Sequence, residues 1–549
     1  MANIMMILCF ASVAFAMPGS QKRRLERAGA EADGTDPGAG ASSSSAPRGS
    51  LRRRLDRASQ GASSAAERPS PLAGTLMKQW ASGQLSSAKV QEIAEAATAS
   101  NAEGVGGLSS AGPSGRHPHN LQRSLLRMFG RPSGAPDFTW VRVPTSTGHA
   151  LHPVFLPHQF FGELFHHAAS QWMQAVRGPE GMAGEFWKAI RDSSIVAHHR
   201  HLNNILLHNT IPIGLHGDGG SFSHQDQVLV MSWNSICGSL GGSGFGKRFI
   251  YTIVRKQGMT PATLEVLWKV LSWSMNVLLT GITPAEDWEQ RAMQGGGEWI
   301  AAGWRASLIQ IRGDWEFYAN TLGFPHWGRD DNMCWMCAAT GVGKLAWRNF
   351  AGSAPWRATR RSHRSWLAGL RNEGKSTPVL FALILGLSLG CLMVDVLHAV
   401  DLGVTAHIVG NVFAFCIRQN VWGAGTIEKN TACLHAEIDS WSKAQKVSAK
   451  LQGELKWIRI KTEPGFPQLK AKAAATRALS DFAFILAKRH CQSDRRIVAV
   501  AQLLVEFYSL IASEGLVMSA ESVARIPQVG RGICELCAQL SSDAHFGRK

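Results

Sequence analysis

Between residues 211 and 311 the apolar positions fall into short blocks separated by turn residues. Ile211 to Leu215 is a continuous apolar run ending in His216-Gly217-Asp218-Gly219-Gly220. It predicts a buried strand, with Asp218 where the strand emerges and the glycines turning the backbone sharply. Two further runs, Gln227 to Ile236 and Phe249 to Val254, are separated by the Gly-rich turn Gly238 to Gly246, and the three together predict an antiparallel meander. Pro261 to Gly281 has Pro at its start, Gly at its end and Leu264, Leu267, Trp268, Leu271 and Met275 at helical spacing, which predicts a buried helix. Ala306 to Ile311 then predicts a fourth strand that runs into Arg312-Gly313-Asp314.

Strand with Asp, two strands, helix, strand with Asp is the order of a ribonuclease-H-like core. The expected fold is therefore α/β, with a mixed sheet at 208–320. In such a core the first and fourth strands are neighbours, so Asp218 and Asp314 would share divalent metal ions. Around it the pattern predicts a helical N-terminal region at 75–207, a helical insertion at 321–480 and a C-terminal helical region at 481–549. Within the first of these, Ser86 or Ser87 serves as a helix N-cap, and the aromatic and His residues from Phe138 to Leu207 read as helical packing. Gly104 to Gly115 reads as a linker and Ile497 to Leu510 as a helix.

The insertion carries two candidate sites. Cys334-Trp-Met-Cys337 supplies half of a tetrahedral zinc site or a pair of buried thiols, and Cys534-Glu-Leu-Cys537 repeats the spacing late in the chain. In Asp395-Val-Leu-His398-Ala-Val-Asp401 the three polar residues share a helix face, so a carboxylate would orient the imidazole.

Charge adds a partner. The formal net charge is +17, and residues 1 to 75, with ten Lys/Arg and six Asp/Glu, leave +13 to the rest. A polyanion, DNA first, is the expected ligand. The track would run through Lys456, Arg459, Lys470, Lys472 and Arg477, interleaved with Trp457 and Phe466. Residues 17 to 74 are rich in Gly, Ala, Ser and Arg, with Arg-Arg-Leu-Glu-Arg-Ala at 23 echoed by Arg-Arg-Leu-Asp-Arg-Ala at 53, and read as a disordered tail. Residues 1 to 16 are signal-like, which sets secretory or organelle targeting beside the nucleus that DNA binding implies. The longest apolar run, Val379 to Val394, is interrupted by Gly386, Ser388 and Gly390 and reads as core, so no membrane-spanning segment is expected.

Taken in order, HGDGG at 216, RGDWEF at 312, CWMC at 334, DVLH at 395 and KAKAAATR at 470 resemble the transposase-derived proteins of dinoflagellates. These are similar to CACTA-type and Plavaka-type DDE transposases. The resemblance spans roughly 75 to 540. It implies two-metal phosphoryl transfer with Asp218 and Asp314 on Mg2+ or Mn2+, structural Zn2+ on Cys334 and Cys337, and His398 beside the reacting phosphate, supported by His216, Asp395 and Asp401. A homo-oligomer on DNA is implied as well. The third acid and two zinc-completing histidines that it implies have no matching motif before Lys549. Glu506 and Glu514 lie near a late helix without one. This predicts a chain cut short at the C-terminus, or a domesticated relict.

Two other readings compete. One is a non-catalytic nucleic-acid-binding protein. The other is a secreted esterase of α/β-hydrolase type, because Gly386-Leu-Ser388-Leu-Gly390 has the nucleophile-elbow pattern.

Overall fold

In the computed structural model of the protein the described residues are 70–81, 85–109, 137–199, 201–202, 205–221, 226–238, 248–326, 333–460 and 466–542. The tail, the signal-like start and most of the turn at 238–246 lie outside them. The chain divides into two compact units.

The smaller unit holds α1 (Pro71–Ala81) and α2 (Ser87–Ala99). Ser86 caps α2 as expected, its side chain accepting from the Lys89 N–H. Val90, Ala94, Leu76 and Leu108 form its core. Leu108 belongs to a short helical turn, Gly106–Ser109, where a linker was expected.

The larger unit is mixed α/β. It opens with a hairpin, β1 (Thr139–Thr145) and β2 (Gly148–Val154), where helical packing was expected. The reason is local: Val141 and Val143 alternate inward at period two, and Gly148 takes a positive φ of 128° at the turn. Helices α3 (Pro157–His167) and α4 (Met182–Ala189) follow. The histidines of this region are tied into the protein, His158 to the Ser274 hydroxyl at 2.8 Å and His199 to that of Ser307 at 2.9 Å.

Next come β3 (Thr210–Ser221), β4 (Gln227–Ser235), β5 (Phe249–Arg255), α5 (Pro261–Thr280), β6 (Arg305–Arg312) and α6 (Trp315–Leu322). The sheet order is β5-β4-β3-β6, antiparallel except for the parallel pair β3 and β6. Helix α5 is bounded by a capping box, Thr260 with Thr263, and by Gly281 in the left-handed region. It buries Leu264, Leu267, Trp268, Leu271 and Met275 in the core shared with the sheet. Each such side chain contributes roughly 1.5–3 kcal/mol.

The glycines after His216 do not turn the chain. Gly217, Gly219 and Gly220 stay in β3, paired with Met231, Leu229 and Val228. A Cβ on Gly217 would lie 1.9 Å from the Phe317 ring, so the missing side chain lets α6 lie on the strand.

Beyond β6, α7 (His363–Asn372) leads to a segment that returns to the sheet: Leu392 bridges Ile311 in parallel, and the Met393 N–H donates to the Ile311 carbonyl at 2.8 Å. A second core follows, built from α8 (Ala406–Arg418), α9 (Ile427–Ala444), α10 (Ala473–His490), α11 (Arg495–Ser513) and α12 (Ala520–Ser542). Helices α11 and α12 lie in the C-terminal region expected to be helical. Two helical stretches, Leu397–Arg418 and Arg495–Ser513, are long and apolar enough to cross a bilayer by length and composition alone. The first is mostly buried among other helices, and the second sets Ile497, Val500, Leu504 and Phe507 into the core.

Candidate active site at the strand ends

Parallel strands bring their carboxyl ends to the same edge of a sheet, and loops there collect polar side chains. Leu215 pairs with Ile311, and Ile311 bridges Leu392. Asp218, Asp314 and Asp395 each stand three residues past that row, and all three act on the His398 imidazole, so three carboxylates gather at one edge of the sheet. The Tyr318 hydroxyl fixes two of the segments, lying within hydrogen-bond distance of the Ile311 and Met393 carbonyls.

The three differ in what already engages them. Asp218 is exposed and accepts no hydrogen bond among the described residues. Asp314 is the N-cap of α6, one oxygen accepting from the Phe317 N–H at 2.6 Å. Asp395 accepts from the Leu397 and His398 N–H groups through one oxygen and pairs with His398 Nδ1 through the other.

Two histidines flank this edge in opposite states. The hydrogen bond from Asp395 raises the His398 pKa above its ordinary value, with the charges of Asp395, Asp314 and Asp218 adding to the effect against partial burial. All three carboxylates therefore act on one imidazole. His216 is pushed down to about 4, first by burial and then by Arg248 and Arg312. Arg312 lies where a Cβ on Gly214 would be, on the side of β3 that also carries His216 and Asp218 by alternation. Its guanidinium donates to Gln310 and Asn234, and burial pushes its pKa down to about 10. A cleft of about 250 Å³ opens beside Asp314, lined also by Gly219, Gly220, Lys256 and Glu316.

Several expected members are elsewhere. Asp401 does not share a face with His398, because Leu397–Thr405 is wound as a π-helix. It is buried instead, bound by Arg477 at 3.0 and 3.2 Å and by the Tyr508 hydroxyl at 2.7 Å. Arg477 is thereby removed from the basic track, and Lys456 faces Glu454 at 3.6 Å. Arg459, Lys470 and Lys472 do meet, around a separate cavity. Glu506 is paired with Arg525, and both oxygens of Glu514 accept from Ser519, so neither joins the strand ends. Ser388 is buried beside the Cys391 thiol, at the start of a 3-10 turn rather than between a strand and a helix, which removes the elbow geometry the esterase reading needs.

Cys334 and Cys337 are buried and free of disulfides, in a small cluster with Trp347, Phe350 and Trp356. One residue from outside that lobe joins them: Cys534 of α12. Cys537 is close enough to raise the Cys534 pKa, after burial. Among the described residues no three His, Cys, Asp or Glu side chains converge tightly enough to enclose a metal ion.

Asp395 was legible only as a partner of His398. The signal for its larger role is the short apolar segment before it, Leu389 to Val394, which forms the bridge at Leu392. Comparison with protein families, curated proteins and solved structures gives no match.

Proposed function

We propose that the larger unit is a ribonuclease-H-like phosphoryl-transfer domain acting on nucleic acid, of the kind found in DDE transposases. The observation that carries the reading is the gathering of Asp218, Asp314 and Asp395, from three neighbouring parallel segments, around His398.

The donor chemistry suits a hard divalent cation. Mg2+ is commonly held by one or two carboxylates, completing its shell with water and substrate phosphate, so a full protein cage is not required. Asp218 and Asp314 would hold Mg2+ or Mn2+, with Asp395 as the third carboxylate that no late motif supplies. When bound, the ion would polarise a phosphoryl oxygen and lower the pKa of its water. The chain's own groups do the rest. The hydrogen bond to Asp395 favours the charged form of His398, which would face a phosphate oxygen. Arg312 and Arg248 add positive potential beside the carboxylates, where an anionic substrate must settle. Helix α6, seated on Gly217, holds Asp314 by its cap.

For zinc, soft thiolates at CxxC spacing are the appropriate donors. Cys534 of α12 shares a buried cluster with Cys334 and Cys337, so a thiolate site there would have to draw together groups that do not converge on one point among the described residues.

Metal-dependent nicking of supercoiled DNA tests the assignment. Parent protein should nick, and Asp218→Asn and Asp314→Asn should not. Nicking that survives both substitutions refutes the role of these carboxylates. A second reading, binding without cleavage, is favoured by Asp395 already being engaged by His398 and backbone N–H groups. Retention of DNA with no nicking by the parent would select it.

A further inference from the structure

A cavity of about 370 Å³ lies in the helical part of the larger unit, where the chain enters α10. Lys450, Arg459, Lys470 and Lys472 line it together with Gln452, and among the described residues no carboxylate does. Its wall is built rather than fortuitous. Arg459 donates to the carbonyls of Gln452 at 2.8 Å, Glu454 at 2.9 Å and Lys470 at 3.1 Å, and the Lys470 N–H returns to the Arg459 carbonyl at 2.7 Å. One guanidinium thus staples the 452–454 loop to the segment carrying Lys470, and its charge stays in the wall.

The three lysines are free to face a ligand: among the described residues Lys450, Lys470 and Lys472 form no ion pair. Helix α10, 18 residues long, begins at the same place with Lys472 as N-cap and no side chain satisfying its first N–H groups. Those donors and the helix dipole reinforce an anion preference that the cations already set. Lys456, two residues from Glu454 and paired with it, is not part of the lining.

We propose that this cavity is a phosphate site that seats the backbone of a nucleic acid strand. The proposal deepens the phosphoryl-transfer reading by giving its substrate a second point of attachment, and it rests on that reading for the identity of the polyanion. Four cations with no acid beside them in the lining among the described residues favour a diester backbone, recognised by charge without regard to base sequence.

The test uses the full chain and a fluorescein-labelled duplex of arbitrary sequence, with binding followed by anisotropy across a chloride series. For Lys470→Ala/Lys472→Ala the slope of log affinity against log salt should fall by about 2, about one per lysine, while Lys456→Ala leaves it near the parent value. Lys470→Arg/Lys472→Arg should restore the slope, which separates charge from folding. An unchanged slope in the alanine variant overturns the proposal. Titration with inorganic phosphate forms the second arm. Phosphate binding that disappears in the alanine variant while the duplex slope stays at the parent value would show a free-phosphate site and overturn the backbone assignment. Nicking is scored separately on the parent: a parent that binds duplex with the expected slope and does not nick overturns the catalytic reading alone.

Discussion

The stretch Asp395-Val-Leu-His398-Ala-Val-Asp401 joins two regions that treat similar side chains in opposite ways. At the sheet edge, Asp395 and His398 face one another near solvent, with Asp218 and Asp314 close enough to bias the imidazole. Six residues on, Asp401 is sealed among helices, its two oxygens held by Arg477 and Tyr508, and Tyr508 in turn meets the Thr405 hydroxyl. Asp218 and Asp314, each keeping an oxygen without a hydrogen bond among the described residues, can accept a cation or a proton. A carboxylate whose oxygens are satisfied inside a core can only hold the core together. Proximity in sequence does not make the two a single site.

The comparison can be broken most sharply at the sheet edge. Asp218→Asn or Asp314→Asn should lower metal-dependent nicking at least a thousandfold, following the usual weight of transition-state charge stabilisation. Far-UV circular dichroism should stay unchanged, because Asp218 bonds to no described residue and an asparagine at 314 still caps α6. Unaltered nicking would place the chemistry elsewhere.

In the sealed region the effect should be on folding. Arg477→Ala leaves a buried carboxylate without its cation and should cost on the order of 3 kcal/mol, the low end for a buried pair because Arg477 is half exposed. Urea denaturation measures it, and a loss within the error of the midpoint would show that Tyr508 alone satisfies Asp401.

Zinc sharpens the contrast between α12 and the edge. The purified chain should carry about one zinc equivalent by mass spectrometry. Cys334→Ser and Cys534→Ser should each release it, whereas Asp218→Asn should not. Zinc retained after Cys534→Ser would remove α12 from the site.

The smallest expected change is in a titration. The His398 pKa is raised, so the stabilisation from its pairing with Asp395 is fully present below the ordinary value of 6.5 and is lost as pH rises through the raised value. In Asp395→Asn the His398 ring signals in an NMR titration should move back toward that ordinary value. No movement would mean that Asp395 does not govern the imidazole.

Much of the scaffold is legible along the chain. The runs at 211, 227, 249 and 306 are β3, β4, β5 and β6, and Pro261 to Gly281 is α5, because apolar periodicity, capping residues and glycine act locally. Reading failed where a residue's role depended on something distant. The glycines after His216 look like a turn, yet Phe317, a hundred residues later, makes them strand glycines. The hairpin β1–β2 was hidden by aromatic and His residues that suit either period.

Sequence alone, then, determined the alternation of strands and helix in 210–312, the aspartates on its first strand and just past its fourth, and the excess of positive charge. Tertiary structure decided that Leu392 joins the sheet, which brings Asp395 to the edge where Asp218 and Asp314 stand, that Asp401 and Arg477 neutralise each other, and that Cys534 shares a buried cluster with Cys334 and Cys337. The physical reason is range. Propensity and periodicity act over a few residues, whereas the state of a carboxylate, a thiol or a lysine is set by whichever charges and burial the fold brings within a few ångströms.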